Sequence, residues 1–201
     1  MTNDQTQREA AETAGILVAV VGLLIFFALA MGSMRDKSLT FDEGFYVARG
    51  WAFMQTGELL TLGHPPLAIL LVGLGVSLEA SLPDPRGLDG WLEGDPERVS
   101  EDLLWGGEVD FRRVTFLGRI TIIWLGVLLG ALLWRWAKEW YGPGGASLAL
   151  ALYALSPNLL AHTRLATTDL PVAAFYVATL YAWMRFLRQR SGHWLWISGI
   201  L

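Results

Sequence analysis

The chain reads as an all-α integral membrane protein. Its 201 residues are 53% hydrophobic with a mean hydropathy of +0.40, beyond what an ordinary soluble domain carries. The apolar residues gather into runs of bilayer length at 14–32, 114–134, 145–161 and 170–187, and a fifth run opens at Trp194. Of ten tryptophans, Trp134, Trp136, Trp140, Trp194 and Trp196 cluster towards the ends of these runs, where amphipathic rings anchor helices at the membrane–water boundary. With no cysteine, the chain has no disulfide, no thiolate chemistry and no Cys-ligated metal. The net charge of −4 comes from acids concentrated between Asp36 and Asp110, a distribution that argues against nucleic acid as a partner.

The first run, 14–32, ends near Ala28-Leu29-Ala30, which resembles a signal-peptide cleavage site. Ahead of it stand Asp4, Glu9 and Glu12 against Arg8 alone, whereas a signal peptide needs a positive leader, so an uncleaved first helix is expected. A large loop, 33–113, follows. Within it Phe45, Ala48, Ala52 and Phe53 recur near helical spacing before Gly57, which predicts an amphipathic helix over 41–57 lying on the membrane. Pro65 and Pro66 fix the entry into an apolar run over 66–78 that is too short to span and predicts an interfacial or re-entrant helix. The stretch 82–110, broken by Pro83-Asp84-Pro85 and Gly94-Asp95-Pro96, predicts an exposed acidic insertion. If the short run does not cross, the basic connectors at 135–138 and at Arg185, Arg188 and Arg190 share one face and obey the positive-inside rule, with a cytoplasmic N-terminus. Loop 33–113 and segment 156–169 then share the outer face. The run opening at Trp194 stops at Leu201, so 1–201 is expected to be the N-terminal part of a longer multi-pass protein of the plasma or inner membrane.

Carboxylates stand just outside the apolar runs at Asp42, Glu43 and Asp169, beside proline-led helix starts. Acids at a membrane rim are costly and mark sites that handle a charged head group or a metal, which points to an enzyme working on a lipid-linked substrate. Each candidate also has a plain structural reading. Asp42 and Glu43 suit the first turn of a helix, where carboxylates meet unpaired amides and the positive end of the helix dipole. Asp169, just ahead of Leu170-Pro171, suits the cap of the next span. Arg49, Arg112, Arg113 and Arg164 suit phosphate, or sit among lipid head groups. His64 and His162 contact substrate, or are solvated in their loops.

The set has a pattern beyond its members. Asp42-Glu43 soon after the first helix is followed by His64-Pro65-Pro66-Leu67, then by Arg112, Arg113 and Arg119 at the entry to the next span. Ser156-Pro157, Ala161-His162 and Thr167-Thr168-Asp169 complete it. Together they resemble the start of the polytopic GT-C glycosyltransferases, nearest to the protein O-mannosyltransferase and aminoarabinose transferase branch (glycosyltransferase family 39-like). The resemblance implies a GT-C fold whose large outer first loop bears interfacial helices. It implies inverting transfer of a sugar from a polyprenyl-phosphate donor to a hydroxyl of a protein or glycolipid acceptor, beside the lipid bilayer. Asp42 then matches the general base, with Glu43 beside it and Asp169 as the third catalytic acid. Tyr46, Arg49, His64, Arg112, Arg113, His162 and Arg164 become the substrate-binding candidates. A divalent metal, held by Asp42 and Asp169, is the cofactor that the resemblance leaves open. The chain departs from the aminoarabinose branch in having Phe45 or Tyr46 and His64 where that branch has Arg and Lys, so the donor sugar stays open. Two other classes stand beside the enzyme: a transporter or channel segment, which would carry polar residues at mid-span, and a non-catalytic assembly subunit.

Overall fold

Inside hydrocarbon every backbone N–H and C=O needs a partner within the chain, so apolar runs of this length fold as helices. The computed structural model describes residues 3–35, 37–61, 63–107 and 109–201, and all regular elements among them are helical. Three helices are long and apolar enough to cross a membrane: α1 (Asn3–Met34) over Glu9–Met34, α5 (Phe111–Ala154) and α7 (Asp169–Gln189). Between them lie α2 (Phe41–Thr56), α3 (Pro66–Val76), a 3-10 turn (Pro85–Gly87), α4 (Pro96–Glu101), a π turn (Asp102–Gly106) and α6 (Pro157–Thr163), and α8 (Gly192–Ile200) follows. The chain is an all-α membrane protein.

Helix α1 is two-faced in the way a lipid-exposed span requires. Ala19, Phe26, Ala30 and Met34 are buried, whereas Leu17, Val21, Leu24 and Ile25 are exposed. Helix α5 is a hairpin. Gly142 has φ 70 and ψ −173, a left-handed backbone that glycine adopts without strain, and Pro143 after it supplies no N–H to the preceding turn. The chain reverses there: in the second arm Tyr153 donates its hydroxyl to Gly126 O of the first arm at 2.7 Å and packs on Phe26 at 4.9 Å. The apolar runs 114–134 and 145–161 thus fall on opposite arms, but the second is not one helix. It stops at Ala154, and α6 starts at Pro157 because proline cannot donate to the ladder and biases Ser156 away from helical geometry.

The charges sort to two ends. Glu12 meets Lys138 at 3.0 Å, Arg185 meets Glu139 at 2.8 Å and Arg188 lies 4.4 Å over the Trp140 ring, so the start of α1, the α5 bend and the end of α7 share one end. The opposite end holds the 37–40 strap, α2, α3, α4, α6 and the start of α7.

At that end the expectations for loop 33–113 need two corrections. Helix α2 does end at Gly57, whose φ is 75 and whose N–H reaches Phe53 O at 2.8 Å, and α3 does start at Pro66. But α2 does not lie on the membrane with one free face: Glu43, Gly44 and every residue from Tyr46 to Ala52 are buried, because α3, α4 and α5 surround it. Nor is the acidic insertion over 82–110 exposed throughout. Val99, Leu103 and Leu104 enter the core and Trp51 Nε1 donates to Pro83 O at 3.1 Å, giving a short polar segment its own apolar anchors. The 11 residues of α3 cover about 16 Å, roughly half the hydrocarbon thickness, so it packs beside α2 and does not cross.

Helices α2 and α3 touch backbone to backbone. A β-carbon on Gly50 would sit 2.6 Å from Gly73 N and 2.7 Å from Ile69 O, atoms that cannot rotate away. Alanine would gain about 0.5–1 kcal/mol of helix propensity but lose about 1–3 kcal/mol to overpacking, so the overlap wins. Gly50→Ala should therefore lower the thermal midpoint in detergent. Gly199→Ala, at a helical position with nothing within 4 Å, should leave it unchanged or slightly raised.

Candidate active site

One buried carboxylate joins the elements at the polar end. Thr40 precedes α2 and Glu43 is three residues on, the spacing of a capping box: Glu43 Oε2 accepts from Thr40 N at 2.9 Å and from its hydroxyl at 3.1 Å. The same carboxylate takes two parallel bonds from Arg119, Nε to Oε1 and a terminal nitrogen to Oε2, both 2.7 Å. Ala166 N donates to Oε1 at 2.8 Å. Arg119 also donates to Lys37 O at 3.1 Å and Ser38 O at 2.8 Å. Glu43 is 0% and Arg119 2% exposed, so both charges have left solvent and each is paired and bonded. Burial pushes the Glu43 carboxyl up, but the bonds from Arg119, Thr40 and Ala166 and the Arg119 charge outweigh it and hold it below its ordinary value.

Asp42 is different. One residue is about 100° of helical turn, enough to put Asp42 in solvent while Glu43 is sealed, and Asp42 has no hydrogen-bond partner among the described residues. Spacings of four and three place Asp42, Tyr46 and Arg49 in one stripe along α2. Arg49, 2% exposed, donates to His64 Nδ1 at 3.0 Å and to Thr61 O, while its Nε has no partner. Burial draws the Arg49 guanidinium below its usual value, with Tyr46 opposing. The exposed His64 ring sits edge-on to Tyr46 at 5.3 Å. The stripe is thus a free carboxylate followed by a phenol and a buried arginine that no carboxylate neutralises among the described residues.

Asp169 is the first residue of α7, exposed, with Thr167 Oγ1 at 3.1 Å and His162 Nδ1 at 3.3 Å from its Oδ2. Arg164 donates to Ser33 O at 2.9 Å, pinning the 164–168 loop to the end of α1. Arg113 is taken by Glu79 at 2.5 Å. Arg112 lies 5.9 Å from the Phe111 ring and opens into a groove of about 940 Å³ between the tops of α1 and α5. That groove has Arg35, Lys37, Arg112 and Arg119 on its walls with Ala28, Met31 and Phe116, so cations meet an apolar floor. Among the described residues no group of three or more His, Asp or Glu side chains converges as a metal site, and Asp169, one of the two ligand candidates, turns its Oδ2 to His162 and Thr167.

Residues 111–201 match the family model of the dolichyl-phosphate-mannose-protein mannosyltransferases. No curated protein and no solved structure matches the chain. The match supports a membrane glycosyltransferase of the mannosyltransferase kind and agrees with the GT-C resemblance. It begins with α5 and takes in Arg112, Arg113, Arg119, His162, Arg164 and Asp169, whereas Asp42, Glu43, Tyr46, Arg49 and His64 precede it. Glu43 bonds to Arg119 and Ala166, so the unmatched part is locked onto the mannosyltransferase-like part by its most buried acid.

Sequence reasoning passed over Arg119 as a site residue. The available signal was its position: an arginine five residues inside an apolar run needs a carboxylate partner, and Asp42-Glu43 is the acidic pair that opens α2. Because the folded Glu43 carboxyl titrates below its ordinary 4.5, its stabilisation is complete above about pH 4.5 and is lost as the pH falls through the lowered folded value. Glu43→Gln should cost about 3–5 kcal/mol at pH 7, the loss expected on breaking a buried pair. Unfolding midpoints measured across pH should show the gap to wild type closing in acid.

Proposed function

We propose that this chain carries the donor and general-base side of a membrane glycosyltransferase that moves a sugar from a polyprenyl phosphate to an acceptor hydroxyl. The observation that carries the reading is the division of labour in the first turn of α2: Glu43 is consumed by the lock to Arg119, while Asp42 beside it remains a free, solvent-facing carboxylate. The acceptor O–H gives its proton to Asp42, and its oxygen forms a bond to the anomeric carbon. The carbon–oxygen bond to phosphate breaks with the electron pair leaving on the polyprenyl phosphate. One displacement inverts the anomeric configuration.

The leaving phosphate needs positive charge that is already in place. Arg35, Lys37 and Arg112 supply it at the mouth of the α1–α5 groove, and the apolar floor suits the first isoprene units. Leu39 lines this groove and lies three residues before Asp42, so the strap connects the phosphate seat to the helix that bears the base. Arg49, held by His64, extends the positive field behind Asp42, and Asp169 with His162 orients the acceptor from the α7 side. The basic end at 135–142 and 185–190 faces the cytoplasm by the positive-inside rule, which puts the reaction on the outer face.

Two outcomes test this. Asp42→Asn keeps size and capping ability, so transfer from a polyprenyl-phosphate sugar should fall about 10²- to 10⁴-fold with an unchanged unfolding midpoint, and near-normal transfer would sink Asp42 as base. Since the chain has no cysteine, single cysteines at Gly107 and Arg190 can be labelled cleanly with a membrane-impermeant maleimide in intact cells. Label should reach Gly107→Cys and spare Arg190→Cys.

A further inference from the structure

A second groove, of about 680 Å³, opens on the other side of the 37–40 strap and shares Ser38, Leu39 and Phe111 with the first. Its chemistry is opposite. Phe41, Trp105 and Phe111 supply aromatic surface, with Trp105 stacked on Phe111 at 5.9 Å. Glu97 and Glu101, one helical turn apart on α4, supply carboxylates that have no ion-pair partner among the described residues. Two like charges at that spacing weaken a helix unless something positive lies between them. Ser100, between them in sequence, is 6% exposed, lines the groove, and its hydroxyl has no hydrogen-bond partner among the described residues.

We infer that this groove receives a lysine or arginine side chain of the acceptor, which makes the preferred acceptor a hydroxyl-bearing peptide segment with basic residues near the hydroxyl. Ring faces and carboxylates together are what a cationic side chain seeks: charge on the ring quadrupole, N–H donors to the carboxylates and to the Ser100 hydroxyl. Phe111 already holds such a contact within the chain, with the Arg112 guanidinium 5.9 Å from its centre. An anionic lipid surface would suit exposed rings at 79% (Phe41) and 62% (Trp105), but not the two carboxylates beside them. Phe41 adjoins Asp42, so a basic residue in this groove brings a neighbouring Ser or Thr hydroxyl to the carboxylate side of the strap. The inference rests on the transferase reading for its purpose, but the binding it describes does not depend on Asp42.

The test is equilibrium binding by fluorescence anisotropy, with the full chain in detergent, no sugar donor present, and labelled serine peptides flanked by Lys, Gln or Glu. The Lys-flanked peptide should bind about ten-fold tighter than the Gln-flanked one, and the Glu-flanked one weakest. Glu97→Gln/Glu101→Gln should abolish that preference while keeping the wild-type unfolding midpoint, and Trp105→Ala should weaken the Lys peptide several-fold. Glu58→Gln/Glu93→Gln removes the same charge outside the groove and should keep the preference. Asp42→Asn removes the base but neither groove carboxylate, so it should keep the order Lys over Gln over Glu, and loss of transfer with that order retained separates base from groove. Equal affinity for the three peptides, or an equal effect of the two double variants, would overturn the inference and leave Trp105 as a bilayer anchor.

Discussion

The buried pair of Glu43 and Arg119 is the constraint on which the polar end depends. Taking a carboxylate and a guanidinium out of water costs several kcal/mol each, and that cost is offset only when geometry and hydrogen bonding are complete. Here they are: the carboxylate accepts from Arg119 twice, from Thr40 twice and from Ala166, and Arg119 spends its remaining bonds on Lys37 and Ser38 carbonyls. One interaction therefore fixes the strap after α1, the start of α2, the upper turn of α5 and the loop before α7. Asp42 lies in these segments, Arg112 and Arg113 open α5 ahead of Arg119, and Arg164 and Asp169 flank the Ala166 contact. No hydrophobic contact could impose the same registry, because apolar packing is indifferent to a shift that would orphan one of these donors.

The membrane explains the rest of the arrangement. The spans carry little charge, and what they carry is pushed to the two ends, with the Lys138 and Arg185 pairs and Trp140 at one and the Glu43–Arg119 lock, prolines and short helices at the other. Helix α5 makes this possible by turning back at Gly142-Pro143, so that the bend and its basic residues stay at one end while Ser156-Pro157 returns the chain to the other. Short helices collect where spans are interrupted, since backbone that leaves a helix must lie against protein or water.

Length and hydropathy made the helical class, the α1 and α7 spans and the incapacity of 66–78 to cross readable from residues alone. So were the end of α2 at Gly57 and the start of α3 at Pro66, because glycine and proline act locally through φ and the missing N–H. What could not be read were contacts between segments distant in sequence. Trp51 reaching Pro83 turns a seemingly exposed acidic stretch into packed structure, and α2 looked like a surface helix because its apolar stripe was narrow, while Arg49 and Glu43 are buried with partners. The division of 145–161 was legible in hindsight from Ser156-Pro157. For the site, residue types pointed to the end of the molecule where Glu43 meets Arg119, but nothing in Asp42-Glu43 itself tells which acid is sealed. That depends on Arg119, far along the chain, and on which of two adjacent side chains the helical turn points at it.

Opposite charge on the two sides of one strap gives the last step. Strap 37–40 has a cation-lined groove on its α1–α5 side and a carboxylate-lined groove on its α2–α4 side. Such grooves would partly cancel if the wall between them could move, because side chains of opposite sign would find each other across it. The lock prevents this: Arg119 binds the carbonyls of Lys37 and Ser38, and Glu43 holds the Thr40 amide, so the strap is fastened at three residues of its four. The lock is also neutral as a pair, so it adds little field of its own to either groove. Each groove then keeps the sign set by its own side chains, and Asp42 follows the strap two residues after its end. In the proposed transfer that separation would let an anionic donor and a basic acceptor approach from opposite sides of the strap without first neutralising each other.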